Sequence, residues 1–267
     1  MFNNFFKEAT SQELYPYQER LLQQLEDNNF NVCAKFRQGG FTTLALLYSL
    51  WKCTQNENYN ALYVTRTERD MQDLMQIAQK FLNNVSKKFI SKTYSINLEN
   101  NNSSLTFITP TAHLGRHYNH IVIDEASLMD NEDWFHIFIP MSTTVLIMGT
   151  PVKAKGDFYQ LYMDAEAGNN KFKVFKCSYK ECLNFTPERI EELKRSMSPE
   201  QFAQEIEAKF TREIVCSPKL PPATKDSKIV LKLKTDEWHQ LIIEYSQGKT
   251  NYFLDGSEVK EIGVTSL

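Results

Sequence analysis

Short, unbroken apolar runs separated by segments of helical period constrain this chain more than any other feature. "HIVIDE" (120–125) and "TTVLIMGT" (143–150) read as strands covered on both faces. "NVCA" (31–34) and "NALYVTR" (60–66) read as further strands. Between them, "TTLALLYSLWKC" (42–53) has the spacing of a helix, with Leu46, Leu50 and Cys53 among its buried positions. "ERDMQDLMQIAQKFL" (68–82) is a second helix. "KTYSINL" (92–98) and "SLTFITP" (104–110) flank "ENNNS", whose turn chemistry predicts a hairpin. Strands alternating with helices predict an α/β fold: a mostly parallel sheet flanked by helices.

The texture changes after Gly168. "TPERIEELKRSM" and "SPEQFAQEIEAKF" are helices, each opened by Thr-Pro or Ser-Pro with an acidic residue next. "CSPKLPPATKDSK" (216–228) reads as a Pro-rich linker, and the segment from Trp238 as two or three strands turning at Gln247-Gly248 and Asp255-Gly256. The expected organisation is a core over 1–168, a small helical lid over 169–216, and a linker with a β-rich tail over 217–267.

The first strand runs into "AKFRQGGFTT" (34–43), a phosphate-binding loop with its cation moved. The usual pattern is G-x-x-x-x-G-K-[ST]. Gly40 and Thr42 fit it, but Phe41 holds the lysine's place and Lys35 stands where the first glycine belongs. A strand, a glycine turn and a helix N-terminus together form an anion site. Thr42 supplies a hydroxyl for Mg²⁺, Lys35 can fold across the turn, and Arg37 can clamp phosphate. The competing reading is a Gly-Gly turn with two solvated cations.

A partner motif favours chemistry. "HIVIDEAS" is an apolar strand ending in adjacent carboxylates, and strand alternation would let Asp124 hold Mg²⁺ while Glu125 polarises an attacking water. Thr150, ending the strand before Pro151, is placed to sense a γ-phosphate or that water, since ligands of open α/β sheets bind beyond the strands' carboxyl ends.

These segments, over about residues 12–216, resemble the ATPase domain of the phage large terminase subunit, the DNA-packaging motor of tailed phages. "YPYQERLL" is similar to the family's adenine-binding segment, with Gln18 at the matching glutamine and Tyr17 as a stacking neighbour. "KFRQGGFTT" matches its deviant Walker A loop, K-x-R-Q-x-G-x-[ST]-T, which carries the lysine early. The resemblance implies nucleotide contacts from Lys35, Arg37, Gln38, Gly39, Gly40, Thr42 and Thr43, with Arg37 as an in-cis finger. "HLGRHYNHIVIDEAS" resembles the run leading to the Walker B acids, although its R-G order is changed and Asn119 replaces an aspartate. "MGTP…GDFYQLY" resembles the coupling motif, and "SPEQFAQEIEAKF" the Q-E helix that closes the region. The resemblance implies a RecA-like P-loop NTPase fold, ATP and Mg²⁺ as cofactors, and double-stranded DNA, a portal protein and a small terminase subunit as partners. It also implies a ring homo-oligomer on the procapsid in the host cell cytoplasm. Only about fifty residues follow Ser217, too few for the nuclease of full-length large terminases. A superfamily-2 helicase fragment and a non-hydrolysing nucleotide-binding scaffold are the rival readings.

Composition narrows the rest. A net charge of −3 excludes a polybasic nucleic-acid binder, and no apolar run reaches the length of a membrane span. The start, "MFNNFFKEATSQ", lacks the pattern of a secretion signal. Five scattered cysteines suggest reduced thiols, and Cys177 with Cys182 has no second pair for zinc. His113, His117 and His120 read as structural or surface histidines rather than a metal site. Leu44, Tyr48 and Trp51 read as core, and Lys87-Lys88 and "KAK" (153–155) as solvated surface.

Overall fold

Val32, Ala34, Leu62, Val64, Ile121, Ile123, Val145 and Ile147 belong to one buried cluster, while their neighbours Cys33, Ala61, Tyr63, Val122, Leu146 and Met148 belong to another. That alternation, apolar on both sides, marks a sheet packed on both faces. The structure, a computed structural model, describes residues 1–110, 117–129, 137–152 and 154–211, and the backbone of four strands between 227 and 259. The chain divides into two units, Met1–Thr211 and Arg212–Leu267.

The first unit holds an eight-stranded sheet of β1 (Phe30–Ala34), β2 (Asn60–Val64), β3 (Phe89–Ser91), β4 (Ser95–Leu98), β5 (Ser104–Ile108), β6 (Tyr118–Ile123), β7 (Ser142–Gly149) and β8 (Lys173–Lys176). Their spatial order is β3-β4-β5-β2-β6-β7-β1-β8. The six strands from β5 to β8 in that order are parallel; β4 runs against β5, forming the expected hairpin, and β3 runs against β4. β7 thus lies between β1 and β6, and the three motif-bearing strands are neighbours.

The helices are α1 (Phe2–Thr10), α2 (Pro16–Asp27), α3 (Phe41–Gln55), α4 (Glu68–Asn84), α5 (Asp157–Glu166), α6 (Pro187–Ser196) and α7 (Pro199–Glu205). Leu46, Leu50 and Cys53 of α3 are buried, as are Leu44 and Tyr48, while half-buried Trp51 packs its edge on Phe2. Phe158, Leu161 and Tyr162 of α5 cover the opposite face of the sheet. Thr67 caps α4, Thr186 caps α6, and Ser198 closes a capping box with Gln201 on α7. Helix α7 is shorter than the 198–210 segment suggested. It stops at Glu205, and Ala208 adopts a left-handed φ of 54° that breaks the helical path.

The second unit contains an antiparallel sheet of β9 (Ser227–Lys234), β10 (Trp238–Ser246), β11 (Lys249–Leu254) and β12 (Ser257–Val259), ordered β12-β11-β10-β9. The expected two or three strands are β10 to β12. β9 is additional and begins inside the segment read as linker. The turns at Gln247-Gly248 and Asp255-Gly256 lie outside the described residues, as do His113 and Lys153.

Candidate functional site

Lys35 leaves the end of β1 and does not reach for solvent. It is 5% exposed, and its Nζ lies 2.6 Å from Glu125 Oε1 and 3.5 Å from Asp124 Oδ1. Burial by itself would drive this amine toward the neutral form. The two carboxylates outweigh that and hold its pKa above the ordinary lysine value, so it remains an ammonium. Across the same point Thr42 Oγ1 donates to Asp124 Oδ2 at 2.7 Å. Tyr63, buried in the middle of β2, donates to that oxygen at 3.1 Å. Burial and the adjoining Asp124 push the Tyr63 phenol well above its ordinary value, so it stays a donor.

The two acids do not diverge by strand alternation, because β6 ends at Ile123. Glu125 takes a left-handed φ of 55° and opens a 3₁₀ turn over Ala126–Leu128. A non-glycine residue held there is a strained position of the kind that clusters at working sites. The turn brings Ser127 against β7: a Cβ on Gly149 would lie 2.9 Å from both Ser127 N and Oγ. Gly149 therefore has to be glycine for the turn to close. Thr150, next along, is 1% exposed.

Three buried polar atoms here lack a partner: Glu125 Oε2, Ser127 Oγ and Thr150 Oγ1. An unmade hydrogen bond of this kind costs about 1–3 kcal/mol, so their grouping points to a polar ligand or water at this spot.

The loop itself is fastened from three directions. Gln18 Nε2 and Tyr17 OH both donate to Gly39 O, at 3.2 and 3.0 Å. Gln38 has a left-handed φ of 63°, and its Oε1 accepts from Arg189 at 2.7 Å. Arg37 N donates to Glu205 O at 2.7 Å, while Arg37 Nε pairs with Glu205 Oε2 at 3.1 Å. Gly40 caps α3 at φ 70°, and half-buried Thr43 follows Thr42 in the first turn. The loop and Glu125 enclose a cleft of about 340 Å³ at this N-terminus, where first-turn N–H groups have no helical acceptor. A second hollow of about 220 Å³ lies beyond Asp124 and Glu125, lined also by Thr65, Arg66, Asp70 and Asp73.

The structure thus brings Lys35, Gly39, Gly40, Thr42, Asp124 and Glu125 around one point, with Thr150 at the end of the strand between β6 and β1. It does not present Tyr17 for stacking on a base. That ring is 2% exposed, packed against Tyr15, Phe36 and Phe41, and its role is to hold the loop. Gln18 is likewise engaged, capping α2 through Tyr15 N and fastening Gly39. Tyr63, Ser127 and Arg189 are not singled out by sequence, and Glu205 is marked there only as part of the Q-E helix; each reaches the site from mid-strand, a turn or a distant helix.

Of the histidines, His117 is exposed and His120 is buried, with Nδ1 2.9 Å from Thr144 Oγ1. Among the described residues no three His, Cys, Asp or Glu side chains converge on a point. Mg²⁺ on a nucleotide needs only one or two protein ligands beside phosphate and water. The hydroxyl–carboxylate pair of Thr42 and Asp124, beside a buried ammonium and an amide-rich turn, fits such a metal–phosphate group.

Residues 33–214 match the family model described as "Terminase large subunit, T4likevirus-type, N-terminal". No curated protein matches significantly. Among solved structures, the large terminase of a thermophilic bacteriophage in complex with ATP-gamma-S aligns with a TM-score of 0.64 at 11% identity, covering 90% of this chain and 68% of that one. The Thermus phage P74-26 large terminase ATPase domain gives 0.64 at 14% identity, over 77% of this chain and 97% of the domain. The HK97 bacteriophage large terminase gives 0.65 at 11%, over 91% and 63%. At such identities the likeness is one of fold: a P-loop NTPase sheet flanked by helices.

Proposed function

The chain belongs to the terminase large-subunit family of the T4-like-virus type, matching its N-terminal region, and from this premise we propose that it is an ATP-hydrolysing motor that drives double-stranded DNA into a viral procapsid. The observation that carries the reading is the buried ammonium of Lys35 set between Asp124 and Glu125, opposite the Thr42–Asp124 bond. The lysine absent at Phe41 is supplied from the end of β1.

Mg²⁺ bound with ATP would supply charge that neutralises the phosphates. Thr42 and Asp124 would hold it, and Tyr63 would keep the Asp124 carboxylate oriented. Lys35 exchanges its Glu125 partner for phosphate oxygens, which frees Glu125 to accept the proton of the attacking water. Thr150 and Ser127 offer hydroxyls to that water or to the γ-phosphate. Arg37 adds charge to the transferring phosphoryl group. Gln18 and Tyr17 hold the loop through Gly39 O, while Gly40 and the first turn of α3, with Thr43, form the phosphate cradle. Residues 1–168 form the ATPase core in this reading and 169–216 its lid; 217–267 have no assigned part. A portal, a small subunit and a homomeric ring are the partners such a motor needs, in the cytoplasm of the infected cell. No helix among the described residues is long and apolar enough to cross a membrane.

The helicase reading is not favoured, since both the family match and the folds are terminases. ATP turnover separates the motor from a non-hydrolysing scaffold. Glu125→Gln and Lys35→Ala should each lower kcat by about 10²-fold or more with the fold intact by circular dichroism. A wild-type chain that binds ATP without turning it over, alone or with DNA and portal, would favour the scaffold.

A further inference from the structure

The antiparallel sheet of the second unit sorts its residues by charge. Pairing of β10 with β9 and β11, and of β11 with β12, fixes which residues share a face. Lys228, Lys232, Lys234, Glu244, Lys249 and Glu258 are all the Asp, Glu, Lys and Arg of these strands, and all fall on one face. The opposite face carries a rung of Ile229, Ile243, Tyr252 and Val259 across all four strands. Beside it runs a rung of Leu231, Leu241 and Leu254. A sheet with one apolar face has to bury it against another layer. Among the described residues of this unit there is no element besides the four strands. The open edge does not invite a partner: β9 spans eight residues there, and its three lysines are the guard that keeps an edge from pairing with another chain.

We propose that this face, with the Ile229–Ile243–Tyr252–Val259 and Leu231–Leu241–Leu254 rungs side by side, is where a second copy of the chain docks, the two tails stacking as a twofold sandwich. An isologous contact requires one patch to fit itself. A face without formal charge does so with no ion left unpaired between the layers. Two aligned sheets pack about 10 Å apart at about 30°, a geometry open to two copies of one sheet. The seven apolar residues of the two rungs, at roughly 90 Å² apiece, offer roughly 600 Å² per copy. The total of about 1,200 Å² reaches the range of specific interfaces. This pairing is independent of the ATP reading and places no demand on how the first units associate.

The test is sedimentation velocity of the full chain, free of nucleotide and DNA, over about 0.1–50 µM. Wild type should pass from one chain mass to two across this range. Leu241→Lys should raise the dissociation constant by about 100-fold or more, because each dimer then holds two buried ammonium groups. Gln240→Lys, one residue back along β10 and on the charged face, should change it less than about threefold. In parallel, hydrogen exchange of residues 229–259 in wild type should slow as concentration rises, while that of β6 stays constant. Should Leu241→Lys leave the tail unfolded, this concentration dependence decides alone. A dimer that survives Leu241→Lys, or equal loss of pairing in Gln240→Lys, would overturn the proposal. So would a wild-type chain that stays monomeric throughout with exchange independent of concentration, since the face is then covered within a single chain or kept for a different partner.

Discussion

Phe41 stands where the common loop places its lysine, and its surroundings explain why a lysine cannot return there. The ring is 2% exposed and meets Tyr17, Phe36 and Phe175 at centroid distances of 5.5, 5.8 and 6.3 Å. It anchors the start of α3 in the core, so an ammonium at this position would be a buried charge without a partner. Phe41→Lys should lose more than about 3 kcal/mol of stability in urea unfolding, and Phe41→Lys/Lys35→Ala should recover no ATP turnover. Recovery in the double variant would mean that the two lysine positions are interchangeable. Gly40 bears on the same turn: its φ is 70°, and a Cβ would lie 2.7 Å from Gln18 Nε2. Gly40→Ala should cost about 1–2 kcal/mol from the left-handed backbone and loosen the Gln18 hold on Gly39. Lys35, Thr42 and Asp124 are legible in the sequence because loop spacing and strand ends fix such groups. Tyr63 is not, being one aromatic among the apolar residues of "NALYV". Arg189 is not either, since it meets Gln38 from 151 residues along the chain.

At the scale of elements, buried strands with apolar residues on both faces announce themselves, and thin edges do not. β3 has three residues and β8 reads "KVFK", so neither carries a pattern that distinguishes it from loop. Helix α1 does carry one, with Phe2, Phe5, Phe6 and Ala9 buried at helical spacing. The end of β6 departs from expectation for a physical reason. An Asp-Glu pair after an apolar run looks like continued strand, whereas the left-handed φ at Glu125 comes from the turn onto Gly149. The other end of β6 gives an independent check on the sheet. Burial first, and then the charge of Lys52, push the His120 pKa down to about 3. An unfolded histidine takes a proton below about 6.5 while the folded one stays neutral until about 3. Stability from neutral His120 is therefore whole above about pH 6.5 and is lost as pH falls through that window, with a slope approaching about 1.4 kcal/mol per pH unit. His120→Gln should flatten the pH dependence of the urea midpoint between about pH 4 and 6 by about that slope. An unaltered slope would place the proton uptake on other groups.

For the whole molecule, the decisive arrangement is that three motifs far apart in sequence leave three adjacent parallel strands, β6, β7 and β1, at the same edge of the sheet. No single motif demands this order. It emerges only when the whole sheet is assembled, and it makes the candidate site a property of the complete first unit. Met1–Thr211 holds both apolar clusters, every strand of the larger sheet and each residue of the candidate site. The Thr211–Val152 backbone bond closes this unit at its last residue. A chain of residues 1–211 should therefore fold by itself, unfold in one cooperative transition, and keep ATP turnover within about twofold of the full chain. Calorimetry and turnover measured on the two lengths side by side check this. A truncated chain that folds with a native near-ultraviolet spectrum but turns over ATP about tenfold more slowly would assign 212–267 a part in catalysis; one that fails to fold would show that the core is not self-sufficient.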